Sequence, residues 1–364
     1  MARKLSSDKL LFTITVMLVM FGLVMIYSAS AVLAMEKNGS PFYFVLRQLL
    51  WCLIGMLAMV VLMNVHYRKW NNRALIYGSL IVSALVLGLV LFGPRVANVH
   101  RWFRLGPLSI QPAELAKLPL ILFLAHHLAR KQGQIESFPG TILPALFVSG
   151  QLAALVVIEP DLGTAIMFVS VTIVLLFFAG MPLKYFAGFA ALSVPAFYFL
   201  VMNVAYRRER LMVFLNPDAD PQDTGFQITQ SLIALGSGGP KGVGLANGIQ
   251  KLFYLPEPHT DFIYAIIGEE LGLIGTIVLL LAFLFFLWRG LRIAWKAKDP
   301  FGQFLAAGIT AMIVLQALIN MSVVIGLLPT KGLPLPFISN GGSSLLVNLM
   351  AVGILLNISQ HVSA

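Results

Sequence analysis

Cysteine is all but missing from this chain of 364 residues: Cys52 is the only one, and it lies inside an apolar run. Neither a disulfide within the chain nor a cysteine metal site is therefore possible. Charge is nearly as scarce, at 11% of residues against 59% apolar. Many apolar runs reach the ~20 residues that cross a bilayer, so the chain reads as a polytopic membrane protein. Acid is scarcer than base, 15 Asp and Glu against 25 Lys and Arg, for a formal charge of +10. The basic residues are spread over the connections between apolar runs, which implies anionic lipid headgroups as partners and no nucleic acid. A cleavable leader is lacking too. The first run, 10 to 34, is too long for a signal h-region and shows no convincing cleavage site, and reads as a retained helix.

What is present is a series of ten apolar windows: 10–34, 42–63, 74–93, 112–128, 140–158, 162–179, 183–203, 261–288, 302–326 and 343–360. They predict an all-α, single-domain membrane protein over 1–364 with ten transmembrane helices. An even number puts both termini on one side, and Arg3, Lys4 and Lys9 assign that side to the cytoplasm. Arg68, Lys69, Arg73, Arg130, Lys131, Lys184, Arg289, Arg292, Lys296 and Lys298 then all fall inside. Two outward segments break the rule: 94–111, with Arg95, Arg101 and Arg104, and 204–260, with Arg207, Arg208, Arg210, Lys241 and Lys251. Long translocated loops escape charge control.

The second of these, between helices seven and eight, is far longer than an ordinary connection and implies function or structure of its own. Residues 205–215 read as a basic, interfacial amphipathic helix. Residues 216–223 are a turn-rich break, and 225–235, with Ile228, Leu232 and Leu235 at helical spacing, suggest a second short helix lying on the membrane. Gly236 to Gly248 carries six glycines and is either flexible or closely approached. It lacks the ending of a P-loop and follows no strand. Asp218, Asp220 and Asp223 miss the glycine and glutamate of an EF-hand and read as a solvated turn, with a divalent ion bridging pyrophosphate as the alternative.

The chain is organised around Tyr254 to Gly275, a polar loop running into a long apolar helix. A helix start near Thr260 puts Asp261 in the first turn, where free N–H groups and the macrodipole favour an ionised carboxylate. Ala265, Gly268, Gly272 and Gly275 lie within about 40° of the Asp261 direction, a stripe that lets a second helix approach. Asp261 therefore either caps its helix or has chemistry to do in a protein interior. Arg101, Trp102, Gln111, Glu114, Lys117, Glu159, Asp161, Arg210, Gln227 and Lys331 are the other polar groups at or near the same boundary. Arg47 and Lys117, taken singly, snorkel. Taken together these groups describe an outward-facing, partly cationic cavity suited to an anionic amphiphile. His259 beside Asp261 is a proton shuttle or a packing residue. Leu328 to Ser344 is a proline-rich outer hairpin whose serines and glycines, Ser339 among them, either cradle an anion or cap the last helix.

Arg101-Trp102 leading to Gln111-Pro-Ala-Glu114, Glu159-Pro-Asp-Leu-Gly-Thr164, Gln230 to Gly239, Pro258-His-Thr-Asp261-Phe-Ile and Pro334 to Ser344 together resemble the SEDS family of peptidoglycan polymerases, over almost the whole chain. Asn216 to Gln227, Gln250-Lys251 and Pro329-Thr-Lys331-Gly look more like its cell-division branch, FtsW, than its elongation branch, RodA. Ala113 and Asn340 depart from the family's usual serine and tyrosine without removing an ionisable group.

The resemblance implies a glycosyltransferase that polymerises lipid II on the outer face of the bacterial cytoplasmic membrane, at the division septum. It implies Asp261 as general base and Arg101, Arg210, Lys117 and Lys331 as the groups that meet the charge developing on pyrophosphate. Glu114 and Asp161 would orient those cations or, with Asp261, help hold Mg²⁺ or Mn²⁺. Lipid II, polyprenyl-pyrophosphate-linked glycan, a class B penicillin-binding protein and other division proteins are the partners implied. A lipid II flippase and a scaffold for division proteins are the competing readings.

Overall fold

The computed structural model describes residues 7–93, 100–105, 108–216, 224–252 and 254–362. Arg95, Asp218, Asp220 and Asp223 lie outside the described residues. Twelve α-helices account for most of the rest: α1 Lys9–Asn38, α2 Tyr43–Asn64, α3 Arg73–Val90, α4 Pro112–Arg130, α5 Leu143–Ile158, α6 Leu162–Phe178, α7 Leu183–Phe197, α8 Ala205–Leu215, α9 Thr224–Gly238, α10 Ile263–Lys296, α11 Pro300–Val324 and α12 Gly342–Ser359. Among the described residues, one small departure from helix lies between α3 and α4, an antiparallel hairpin of β1 Phe103–Leu105 and β2 Leu108–Ile110.

Among the described residues, eight helices are long and apolar enough to cross a membrane: α1, α2, α3, α5 with the π-helical turn before it, α7 with the one after it, α10, α11 and α12. Eight of the ten apolar windows thus meet the criteria of length and apolarity, and the two others correspond to α4 and α6. α6 is a shorter apolar helix, and α4 carries Glu114, Lys117, two histidines and Arg130 in its 19 residues. α11 and α12 form the buried centre, whereas α7 is exposed along nearly its whole length. Helices apolar all round are what a bundle core inside lipid requires. α2 lies so close to α12 that a Cβ at Gly353 would sit 2.6 Å from the carbonyl oxygen of Met59.

Both ends of the described chain meet at the end of the bundle remote from Asp261. The Asp8 N–H donates to Ser359 Oγ (3.0 Å) and the Asp8 carboxylate pairs with Arg289. Tyr67 bonds Asp299 through its hydroxyl and Asn357 Oδ1 through its N–H, the latter at 2.7 Å.

α10 is one helix by hydrogen bonding but not by conformation. Gly272 has φ 68° and ψ −165°, a left-handed break that divides it. A strap from the glycine-rich segment fills the break. Val243 and Gly244 donate their N–H groups to the carbonyls of Glu269 and Glu270, while Leu273 and Ile274 donate to Gly239 and Pro240. Backbone freed by the break is thus satisfied by the strap, as a low-dielectric setting demands. The small-residue stripe does admit a neighbour: a Cβ at Gly238 of α9 would lie 2.0 Å from the Gly268 carbonyl. α9 is accordingly packed into α10. Ser231 donates to the Val324 carbonyl, and the face expected from Ile228, Leu232 and Leu235 is divided, with Ile228 buried and Leu232 exposed.

Candidate active site

Asp261 precedes its helix by two residues. α10 begins at Ile263, and Phe262 is the capping position with no side-chain cap bond. The expected start near Thr260 fails because Thr260 turns back, donating both its N–H (3.2 Å) and its hydroxyl (3.1 Å) to the Glu257 carbonyl. Three side-chain or backbone donors then pin the main chain around the acid. Asn340 N–H reaches the His259 carbonyl (2.9 Å), Ser339 Oγ the Thr260 carbonyl (2.6 Å) and Asn320 Nδ2 the Asp261 carbonyl (2.8 Å). The backbone is fixed while the carboxylate points at Gly332.

Without a helical cap, burial decides the acid's chemistry. Burial foremost and the charge of Glu257 next push Asp261 up to about 7, against the pull of Arg210 and Arg101 and with a further push from Asp161. This corrects the expectation of a carboxylate held ionised by its helix. An acid balanced near neutrality can take up a proton and give it back. Lys331 is half-buried beside Gly332, and its ammonium is lowered by that burial.

A second acidic turn faces the same region. Glu159 is fully enclosed, neither carboxylate oxygen has a hydrogen-bond partner, and burial first, then Asp161, raises it to about 8 against Arg101. Arg101 does not pair with that carboxylate but donates to the backbone carbonyls of Glu159 (Nε, 2.8 Å) and Pro160. Asp161 caps α6, accepting from Thr164 N–H (3.1 Å) and Oγ1 (2.8 Å), and from Gln111 Nε2 (2.9 Å). Arg210, on α8, donates to the Thr330 carbonyl at 3.3 Å.

Beneath this rim lies a buried polar row. Lys117 Nζ donates to Glu114 Oε1 (2.6 Å) and Gln316 Oε1 (2.8 Å), and Gln316 Nε2 donates to the Pro334 carbonyl (2.8 Å). Lys117 does not snorkel; it and Glu114 are each 2% exposed. The proline-rich hairpin is thereby tied to α4 and α11. Ser339 is committed internally, taking the Leu335 N–H (2.8 Å) as it bonds Thr260, and Ser343 Oγ accepts from Gln111 N–H (3.4 Å). Arg47 is half-buried in the second turn of α2 and donates to Tyr43 Oη at 3.3 Å.

The structure therefore gathers Asp261, Arg101, Glu159, Asp161, Gln111, Arg210, Ser339 and Lys331 at one end of the bundle, with Glu114 and Lys117 below. Trp102 and Gln227 are partly buried and take no role in these bonds. Asp261, Glu114 and Asp161 do not form a metal-binding set: among the described residues no three His, Cys, Asp or Glu side chains converge in that way. Glu114 is engaged by Lys117, and Asp161 by Thr164 and Gln111. Sequence reasoning missed Asn320 and Gln316, whose amides inside an apolar run were themselves the signal. It also missed Glu269 and Glu270, which lie within the central stretch.

A family model described as cell cycle protein, for FtsW, RodA and SpoVE, matches residues 8–364. The chain belongs to this family. Among curated relatives it is 47% identical over 358 residues to the probable peptidoglycan glycosyltransferase FtsW of Geobacter metallireducens, covering 97% of this chain and 95% of that one. It is 46% identical over 360 residues to stage V sporulation protein E of Bacillus subtilis, covering 99% and 98%. The fold agrees with a chain of a peptidoglycan synthase complex solved for its coordination of polymerization and crosslinking, at TM-score 0.80 and 29% identity over 98% of both chains. It also agrees with the rod shape determining protein RodA of Thermus thermophilus, at TM-score 0.71 and 27% identity over 98% of this chain and 97% of that one. Membership in the FtsW/RodA/SpoVE family fits a multi-pass helical architecture.

Proposed function

We propose that this protein is a peptidoglycan glycosyltransferase of the cell-division type, polymerising lipid II on the outer face of the cytoplasmic membrane. Near-full-length identity to relatives bearing that name is the observation that carries the reading. In this reading α4 and α6 complete ten crossings, both termini are cytoplasmic, and the long segment 204–260 lies outside. The septum is its place of work. A class B penicillin-binding protein is its crosslinking partner, an inference helped by the fold neighbour solved in a synthase complex.

Asp261 is the general base. The 4-hydroxyl of the acceptor N-acetylglucosamine gives its proton to the carboxylate while its oxygen bonds the donor's anomeric carbon. The bond from that carbon to pyrophosphate breaks, and the electron pair leaves with the polyprenyl pyrophosphate. Direct displacement inverts the anomeric centre. Arg210 and Lys331 face the developing charge, Arg101 holds the Glu159–Pro160 turn, and Lys117 acts through Gln316 on the hairpin. Mg²⁺ or Mn²⁺, if bound, would have to be held in part by the substrate's pyrophosphate, because no three acidic, histidine or cysteine side chains converge among the described residues.

The test is purified protein with its transpeptidase partner and labelled lipid II. Glycan ladders that vanish in Asp261→Ala are the expected result. Ladders that persist at the normal rate overturn the role of Asp261, and lipid II crossing proteoliposomes without any polymer overturns the activity.

A further inference from the structure

Three segments far apart in the chain meet just above the break in α10. Glu270 is wholly enclosed, and its Oε1 accepts from Lys251 Nζ at 2.6 Å. Both of its oxygens lie 2.7 Å from Ser28 Oγ of α1, and Lys251 Nζ donates to the same hydroxyl at 3.2 Å. Lys251 is 6% exposed, although it belongs to the long, basic segment 204–260. One residue earlier, Glu269 accepts the N–H groups of Ile249 (2.7 Å) and Gln250 (3.2 Å) on Oε1. Two adjacent carboxylates of α10 thus grip three consecutive residues, 249 to 251.

The consequence is topological. Lys251 and Glu270 close the base of a stretch of chain whose tip carries Asp261, ten residues after one and nine before the other. From base to tip, residues 254 to 260 are held by local turns, such as Leu255 N–H to the Gln250 carbonyl at 2.9 Å, and the return from Ile263 is helix α10. The tip is pinned through the main-chain carbonyls of His259, Thr260 and Asp261 and through the buried side chains of Leu255, His259 and Phe262, the His259 ring lying 4.4 Å from that of Phe44. Its position is set jointly by these contacts and by where the base is anchored.

We infer that the Lys251–Glu270 pair, bridged by Ser28, is a positioning device that sets Asp261 at its working place by fixing the root of its loop to α1 and α10. The inference rests on the proposed role of Asp261 as base. Neither residue touches the reacting atoms in this reading. Lys251 acts through ten residues of chain and Glu270 through nine, and small displacements of a base from its proton are costly in rate.

The test uses the full chain in detergent, with two readouts. Hydrogen–deuterium exchange of peptides spanning 252–262 reports the loop without requiring activity, and lipid II kinetics report the base. Glu270→Gln is expected to raise exchange across that span and to lower kcat by roughly tenfold to a hundredfold, leaving KM for lipid II nearly unchanged. Lys251→Arg, made alone, keeps the cation opposite Glu270 and is expected to leave both readouts near native. Native exchange together with native kcat in Glu270→Gln overturns the inference, as does a fall in kcat and KM together that merely follows a lowered melting temperature. If Glu270→Gln does not fold, Ser28→Ala removes only the bridging hydroxyl and is read by the same two measurements, with the same outcomes. Wild-type protein that makes no polymer would sink the activity reading, while the exchange readout would still decide whether the pair holds the loop.

Discussion

The carboxylate of Asp261 leaves little room for a side chain on Gly332: a Cβ built there would lie 3.3 Å from Oδ2 and would meet nothing else within 4 Å. Gly332 is exposed, so a methyl group at this point tests the acid's surroundings without disturbing a core. Gly332→Ala is expected to slow polymerisation by roughly three- to tenfold, and Gly332→Val by more, with the melting temperature unchanged. Rates of ladder formation beside thermal melts check it.

Activity should titrate with the acid. Asp261 stands at about 7, so its basic form is lost as pH falls through that value. Below it kcat/KM is expected to drop about tenfold per pH unit and above it to level off. Arg210 is a cation that lowers this acid, so Arg210→Gln should move the inflection to higher pH. A pH–rate profile of the two proteins decides; an inflection that stays put excludes Arg210 from the acid's surroundings.

The enclosed Glu159 makes a prediction about stability. Its folded value is about 8 against 4.5 for a free side chain, so between those limits the folded protein holds a proton that the unfolded chain has released. Stability therefore falls as pH rises through this window, by up to about 1.4 kcal/mol per unit. Glu159→Gln keeps the neutral form at every pH and should flatten the slope. Melting curves across the window measure it.

Lys117 and Glu114 form an ion pair enclosed on all sides. Lys117→Met leaves a carboxylate buried without its partner and is expected to cost about 3–5 kcal/mol. The double variant Lys117→Met with Glu114→Leu should recover most of that loss, because no charge remains to be buried. Polymerisation should stay low in both variants, since the tether from Lys117 through Gln316 to Pro334 is gone in each. Thermal melts and ladder assays separate the two effects.

Most of the helices were legible as apolar windows, and α8 falls on the residues its amphipathic pattern outlined. The break in α10 was not. A glycine within an apolar run is compatible with helix by pattern, and only the strap around Lys241 to Gly244, some thirty residues earlier, makes its left-handed turn necessary. The same holds for Lys251 and Glu270, whose pairing spans a separation that no helical or strand period would reveal. Asp261 was found by its company of Pro258, His259 and Thr260, yet its protonation was misread. Two residues of turn separate a capped carboxylate from a partly buried one, and boundaries of that fineness depend on Asn320 of α11 and Ser339 of the proline-rich hairpin.

The handshake of Asp8 with Ser359 and Arg289 brings the start and finish of the bundle side by side. A short peptide tether across that gap would confine little extra chain, and fresh ends opened in a distant turn would leave the core undisturbed. Topologically, the bundle is close to a ring.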